Sequence, residues 1–188
     1  MAHWSAHAER LATERYPALL AYATLLGGDR AAAEDLVHDA LVKTFSRPRR
    51  LRSDHEAEAY VRRAILTIFL DRARGRSRLN RAFARIAERP VAEDASRDVV
   101  ARDAVTAALS ALSPRERACT VLRYYDDLPV AEVATRLGIA EGTCKRYLSD
   151  AAAKLRAELG DDGPAPSATE EDDSVVVADH STSARRKR

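Results

Sequence analysis

The pattern between Ser113 and Leu159 constrains this chain more than any other feature of its sequence. Ser113-Pro114-Arg115-Glu116 is typical of a helix start, with Ser as the cap, Pro at the first helical position and Glu placed to complete a capping box. The elements predicted to follow are a helix to about Tyr125, a short helix over Val130–Leu137, a turn at Gly138-Ile139 and a longer helix over Glu141–Leu159. Two helices joined by a short glycine-containing turn form the helix-turn-helix pattern.

The second helix of this pair would present polar side chains near its N-terminal end. In a helix-turn-helix this end enters the DNA major groove, where Lys and Arg suit phosphates and base edges. The two helices and their turn would pack together through Leu137, Ile139, Leu148 and Leu155. The alternative is a plain helical hairpin with solvated cations. The residues presented would be Thr143, Lys145, Arg146, Ser149 and Asp150.

The first half of the chain is also predicted to be helical. Apolar residues from Leu11 to Leu26 indicate a helix ending at Gly27-Gly28, and Pro17 either kinks this helix or marks its start. Asp29 can cap a second helix, from Arg30 to about Ser46. A capping box at Ser53–Glu56 begins a third helix, which runs to about Arg74 with Gly75 as its stop.

These elements predict an all-α protein with two small helical domains, a flexible linker and a disordered tail. The first domain spans 5–85, the linker 86–97 and the helix-turn-helix domain 98–159, which opens with a helix over about Asp98–Leu112. Residues 160–188 are rich in Pro, Ser, Asp and Glu and cannot bury enough apolar surface to become ordered. A docking strand at Val175-Val176-Val177 is the alternative for part of this tail.

The charge of the chain is unevenly distributed. Between Ala40 and Arg89 there are 14 Lys or Arg and 5 Asp or Glu, although the net charge of the whole chain is only +2. A basic middle of this kind favours a polyanion as partner, and a solvated basic surface is the equal alternative.

Several other classes of function lack support in the sequence. Cys119 and Cys144 are isolated, which predicts neither disulfide nor zinc site and agrees with a reduced, cytoplasmic location. His3 and His7 have helical spacing but make a poor metal site. We find no phosphate loop, nucleophile elbow or triad pattern, no signal peptide and no membrane span. We therefore expect no enzyme activity, no cofactor, no metal and no membrane insertion.

Short sequence segments in both halves of the chain match the motifs of one known family. In the second half they are Leu112–Arg117, Val121–Tyr125, Val130–Ala134, Leu137-Gly138 and Glu141–Lys145; in the first they are Gly28-Asp29 with Ala33–Leu41, and Tyr60–Arg63 with Asp71-Arg72. Together they closely resemble the extracytoplasmic-function (ECF, group IV) sigma factors of the sigma-70 family, of actinobacterial type. The resemblance covers about Tyr16 to Leu159. It implies a sigma-2-like domain of three or four helices, a sigma-4-like domain, and a chain that directs core RNA polymerase to promoters and assists their melting.

The resemblance also implies roles for particular residues. The helix with Asp35, Leu36, His38 and Asp39 would dock on the β′ clamp helices of the polymerase, and other contacts would reach the β subunit. The promoter −10 element would be held by Arg49, Arg50, Arg52, Arg62, Arg63, Thr67 and Arg72. Arg123 would join Thr143, Lys145, Arg146, Ser149 and Asp150 at the −35 element. An anti-sigma factor is a further expected partner.

Some positions depart from the family pattern. Thr67 stands where many members have Asn, and Pro129 and Ala140 replace the Ser or Thr often found as helix caps. Asp150 replaces a common Arg or His, and Arg146-Tyr147 replaces a common Ser-Arg pair. These changes affect which −35 sequence would be bound rather than the fold.

Two other functions are consistent with parts of the sequence. A conventional helix-turn-helix regulator would bind duplex DNA without directing core polymerase, and a basic helical adaptor would use its Arg surface for RNA or protein. The sequence does not specify the promoter sequence and regulon, the activating signal, the role of residues 160–188 or any redox role of Cys144.

Overall fold

The computed structural model describes residues 3–46, 51–84 and 104–159, and within these ranges all regular structure is helical. The first half contains α1 (His3–Thr13), α2 (Tyr16–Gly27), α3 (Arg30–Phe45) and α4 (Asp54–Ala84); the second contains α5 (Ala104–Ser110), α6 (Pro114–Thr120), α7 (Val130–Leu137) and α8 (Glu141–Leu159). The described residues thus confirm the all-α prediction. The linker at 86–97, the tail at 160–188 and the expected helix start at Asp98 lie outside them.

The N-terminal helical signal belongs to two helices rather than one. The first helix ends at Thr13 and the second begins at Tyr16, with Pro17 in the first turn of α2. Because proline lacks an amide hydrogen and clashes with the preceding turn of a helix, it is tolerated at this position and not further along. The second of the two predicted roles of Pro17, marking a helix start, is therefore the correct one. Gly28 ends α2 with a φ of +88°.

Caps begin α3 and α4 as the sequence predicts. The Asp29 carboxylate accepts a hydrogen bond from the amide of Ala32 at 2.8 Å. Ser53 Oγ accepts from the amide of Glu56 at 3.1 Å. The Glu56 carboxylate accepts from the amide of Arg52 at 2.7 Å, one residue earlier than the capping box predicts.

The predicted helix stop at Gly75 is wrong. Helix α4 continues through Gly75 to Ala84, and a side chain at Gly75 would meet no atom within 4 Å. A mid-helix glycine costs about 1 kcal/mol relative to alanine. The Arg-rich flanks of Gly75 favour helix, and no left-handed residue is present there to end it.

The second half follows its predicted pattern with two differences. Ser113 and Glu116 form the full reciprocal capping box of α6. The helix after it does not stay α-helical to Tyr125 but widens into a π-helical turn over Val121–Tyr125, where the Asp126 amide donates to the Val121 carbonyl at 3.2 Å. Helix α5 ends at Ser110, two residues before the predicted end at Leu112. The π-turn shifts Asp126 and the following loop relative to a continued α-helix.

The two halves share buried apolar side chains. One cluster extends from Leu11 and Leu19 through Val61 and Ile65 of the first half to Leu122 and Val133 of the second. A smaller cluster joins α5 to α8, and Leu25 of α2 packs against it. No described helix is long and apolar enough to cross a membrane.

Candidate DNA and polymerase interfaces

Helix α8 separates its buried and exposed residues cleanly. Cys144, Ala151 and Leu155 lie in the core with Leu148 partly buried, while Lys145, Arg146, Ser149 and Asp150 are exposed and Thr143 is half-buried. This division follows from the 3.6-residue period of the helix. Within the described part of the chain, no carboxylate forms an ion pair with Lys145 or Arg146. Two cations and two hydroxyls are thus available to a ligand at the N-terminal end of α8.

Arg123 lies in the π-turn and is less accessible than the resemblance suggests. Its side chain is 26% exposed and makes a weak ion pair with Asp127 at 3.5 Å. It also donates to the Leu128 carbonyl at 3.4 Å, and its Nε is buried without a hydrogen-bond partner in the described structure. The structure therefore places Arg123 where it holds the loop between the π-turn and α7.

The outer face of α3 presents three polar residues and one apolar residue. Asp35, His38, Asp39 and Val42 are exposed at helical spacing, and Val42 is 55% exposed. Leu36, a predicted polymerase-binding residue, is only 2% exposed and packs in the core. Since its side chain points inward, Leu36 can position the docking helix but cannot be part of the contact surface. Val42 is the exposed apolar residue of this face.

The residues predicted to hold the −10 element differ in their exposure and in their ion pairs. Arg52, Arg63 and Thr67 are exposed, and Arg72 is half-buried and forms an ion pair with Asp39 at 2.6 Å. Arg63 and Thr67 border a shallow hollow together with Lys43, Thr44, Tyr60 and Ala64. Arg49 and Arg50 lie outside the described residues.

Arg62 differs from its neighbours on α4 because it is engaged on two sides. Its guanidinium donates to Glu58 on its own helix at 2.8 Å and to Asp126 of the second half at 2.9 Å. It also lies over the rings of Tyr22 and Tyr125, 5.3 and 5.5 Å from their centroids. Arg62 is thus a contact between the two halves in this structure.

Both halves of the chain match known families. Residues 11–79 match the model of sigma-70 region 2, and residues 102–155 match the model of sigma-70, region 4. The RNA polymerase sigma-E factor of Streptomyces coelicolor is 32% identical over 151 residues, which cover 80% of this chain and 85% of that protein. The ECF RNA polymerase sigma factor SigL of Mycobacterium tuberculosis is 31% identical over 151 residues, covering 78% of this chain and 85% of that protein. This chain belongs to the ECF sigma factors of the sigma-70 family.

A solved structure agrees with this assignment. The sigma factor RpoE of Bartonella quintana, crystallised with the anti-sigma factor NepR, is similar with a TM-score of 0.53 and 26% sequence identity. The match covers 78% of this chain and 92% of that one. As a sigma factor, the protein directs core RNA polymerase to promoter DNA in transcription initiation. A regulator or adaptor is not expected to carry both sigma regions in this order, so the two alternative functions lose their support.

Several residues that join the halves of this sigma factor were not identified from the sequence. Asp126 pairs with Arg62, and its carboxyl has a raised pKa because burial favours the neutral acid and Arg62 only partly opposes it. Arg117 donates to the Leu26 carbonyl at 2.8 Å, and burial lowers the pKa of its guanidinium. An i,i+4 spacing could have suggested the Glu58–Arg62 pair. No local signal links Arg62 to a residue 64 positions away.

The two cysteines and His7 are buried within the sigma factor. Cys119 and Cys144 are fully buried and in mutual contact, and burial raises the pKa of the Cys119 thiol to about 12. Burial also raises the pKa of the Cys144 thiol, and thiols of this kind are poor nucleophiles at neutral pH. His7 is buried and bonds to Asp54, which also binds Arg10. No group of three potential metal ligands occurs among the described residues.

Proposed function

We propose that this sigma factor contacts core polymerase through α3 and promoter DNA through α4 and α8. The observation that carries this proposal is the face of α8 that bears Thr143, Lys145, Arg146 and Ser149, opposite a face that packs in the core. Such a face can enter a major groove without disturbing the fold, because none of its exposed residues contributes to the core. The −35 element is its proposed target, and Asp150 can accept a hydrogen bond from a cytosine amino group.

The docking surface proposed for core polymerase is the α3 face of Asp35, His38, Asp39 and Val42. Three polar groups around an exposed valine suit a protein partner, since a protein interface combines an apolar centre with a polar rim. The β′ clamp helices are the proposed partner of this face, with further contacts to the β subunit.

The −10 surface proposed on α4 combines cations with a hollow. Arg52, Arg63 and Arg72 provide a basic track, to which Arg49 and Arg50 would add charge. The hollow beside Tyr60 and Thr67 measures about 190 Å³ and lies next to Arg63. A cationic groove with an aromatic residue nearby is a typical arrangement for an unstacked base of single-stranded DNA.

The remaining parts of the proposal concern organisation and location. The first domain would span 5–85 and the second 98–159, and the protein would act in the cytoplasm without catalysing a reaction. An anti-sigma factor is proposed as a partner because the similar RpoE of Bartonella quintana binds the anti-sigma factor NepR.

A run-off transcription assay tests the proposal. Purified core polymerase from the source organism is combined with a genomic promoter library and the full chain. We expect new transcripts that start at defined sites. Changing Asp35→Ala together with Asp39→Ala should abolish these transcripts and core binding. The matched control is Glu9→Ala with Glu14→Ala, which removes the same charge from exposed positions near the end of α1 and should leave transcription unchanged.

Two results would contradict parts of the proposal. If the control variant loses transcription as fully as the α3 variant, net charge rather than the α3 face controls core binding. If the α3 variant keeps full activity, α3 is not the docking surface.

A further inference from the structure

The C-terminal turns of α4 form an exposed surface on which all formal charges are positive. Every residue from 74 to 80 is exposed, and Leu79 is 56% exposed. The sequence from 72 to 87 contains six arginines and no Asp or Glu. Arg76 and Arg78 have no carboxylate partner among the described residues. Residues 74–80 are thus a basic end of α4 that also bears an exposed leucine.

The charges of this basic end oppose each other. Arg74 and Arg78 lie four residues apart, a spacing at which like charges destabilise a helix. Arg74 has one ion pair, with Asp71 of the same helix at 3.0 Å. A helix that is polar on nearly all sides needs ion pairs or a partner to be stable. The basic end of α4 therefore suits an anionic partner, and Leu79 favours one that also offers apolar side chains.

The described chain ends close to this surface. Lys154 Nζ of α8 donates to the Glu116 carboxylate at 2.7 Å, and Leu159 lies about 7.5 Å further along the helix. Next to Glu116, the guanidinium of Arg117 has a pKa that is lowered by burial and then by the nearby charge of Arg76. Arg76 therefore lies near α6, and α6 packs against α8. Residues 160–188 thus begin within a short distance of the basic end of α4.

Residues 170–179 combine acidic side chains with an apolar run. They contain five acidic residues and three consecutive valines, and no Lys or Arg. The acids match the arginines of the basic end, and the valines match Leu79. Ten residues separate Leu159 from Glu170, and a chain of this length spans up to about 35 Å. Because the segment is tethered, its effective concentration at the basic end is on the order of millimolar.

We infer that residues 170–179 dock on the basic end of α4, with their carboxylates on Arg76 and Arg78 and their valines against Leu79. The docking depends only on these two parts of the chain, whereas its effect on DNA rests on the proposed DNA contact through α4. While the segment is docked, the two arginines are unavailable to DNA phosphates. Since salt screens exposed charges, the docked fraction falls as the ionic strength rises.

Paramagnetic broadening in NMR spectra locates the segment in the full chain. A nitroxide is attached to a cysteine introduced by Ala178→Cys, and the native cysteines are buried and should not react. We expect the label to broaden the amide signals of residues 74–80 more than those of α8, and added salt to reduce this broadening. Broadening centred on Lys145 and Arg146, or no broadening above that of the remaining chain, would overturn the inference.

Two variants separate docking of this segment from the total charge of residues 160–188. Asp172→Asn with Asp173→Asn changes the segment, and Asp161→Asn with Asp162→Asn removes the same charge outside it. The first pair should lose most of the broadening at the basic end, and the second pair should keep it. Equal losses would show that total charge, rather than residues 170–179, determines the contact, and would also overturn the inference.

Binding of a single-stranded oligothymidylate at low salt measures the effect on DNA. When only a fraction of the molecules can bind, the apparent affinity falls by that fraction. If about nine molecules in ten are docked, Asp172→Asn with Asp173→Asn should raise the affinity by up to about 10-fold, and the control pair by less than about 2-fold. The expected broadening together with equal affinities would support the docked segment and contradict DNA binding by this end of α4.

Discussion

The two proposed DNA surfaces of this sigma factor differ in how far they are engaged by the rest of the chain. On α8, Lys145 and Arg146 are exposed and have no ion-pair partner in the described structure. On α4, Arg62 is bound by carboxylates of both halves and by two tyrosine rings. The exposed face of α8 is therefore left free by folding. The basic face of α4 is partly used to hold the halves together.

The difference between these surfaces has a local cause on α8 and a long-range cause on α4. The 3.6-residue period alone directs Lys145 and Arg146 to the side opposite Cys144. The surroundings of Arg62 depend instead on the π-turn, which ends at Tyr125 and is followed at once by Asp126. Substitutions on the two surfaces should accordingly affect different properties of the protein.

The largest expected effect is on stability and follows from Arg62→Ala. This change leaves the Asp126 carboxylate without its ion-pair partner, whereas Glu58 keeps Arg15 at 3.1 Å. Stranding a buried charge costs about 3–5 kcal/mol. Because Arg62 is partly exposed, we expect the free energy of unfolding to fall by about 2–3 kcal/mol in urea denaturation. The control is the adjacent exposed Arg63→Ala, which should stay within about 0.5 kcal/mol. Equal losses for both variants would show that Arg62 has no special structural role.

A smaller effect, on DNA binding rather than stability, is expected from Lys145→Ala. Loss of one major-groove or phosphate contact should weaken binding to a −35 duplex by roughly 10-fold, without a change in unfolding free energy. Lys154 provides a control on the same helix, since its ammonium binds the Glu116 carboxylate at 2.7 Å. Lys154→Ala should lower stability and leave DNA affinity nearly unchanged. Fluorescence anisotropy measures DNA affinity and urea denaturation measures stability. If Lys154→Ala weakened DNA binding while Lys145→Ala lowered stability, the assignment of these two lysines would be contradicted.

The caps of the two halves test whether the halves unfold together. Ser113→Ala removes the side-chain bond to the Glu116 amide, and Ser53→Ala removes the corresponding bond to Glu56. Each should cost about 1 kcal/mol. Because the halves share a core, both variants should shift one common transition in differential scanning calorimetry. Two separate transitions, of which each variant moves only one, would contradict the shared core.

The smallest expected effect is on the pH dependence of stability, through the Asp54 carboxyl of the first half. The Arg10 side chain and then His7 lower the pKa of the Asp54 carboxyl to about 2. An acid with a lowered pKa in the folded state stabilises the fold above its ordinary pKa near 4 and loses this contribution as the pH falls towards 2. Between pH 4 and pH 2, Asp54→Asn should therefore lose slightly less stability than the unchanged protein, as measured by thermal unfolding. An identical pH profile for both proteins would show that this pair contributes nothing.

Local signals account for most of the fold. The bounds of α3, α7 and α8, the Asp29 cap and the Ser113 capping box follow from periodicity and caps, and the structure confirms them. The helix stop predicted at Gly75 is wrong because glycine favours a helix end where the chain adopts a left-handed conformation, and Gly75 does not adopt one.

The candidate site was predictable only where it depends on one helix. The exposed face of α8 could be listed from the helix-turn-helix pattern and helical spacing. On α3, Asp35, His38 and Asp39 followed only from the resemblance to sigma factors, and Val42 was not predicted. The Arg62–Asp126 contact could not, because it depends on how the halves pack and on a π-turn that sequence patterns do not indicate. The roles assigned to individual residues in polymerase and DNA binding remain predictions.

The most direct measurement compares the free sigma factor with the sigma factor bound to core polymerase. Two labelled DNAs are taken from a promoter found in the run-off assay, one a −35 duplex and one a −10 single strand. We predict that the free chain binds the −35 duplex measurably, and that it binds the −10 strand only after core polymerase is added. Binding of the −10 strand by the free chain as tight as that of the polymerase complex would contradict our account of a −10 surface that is partly engaged within the chain.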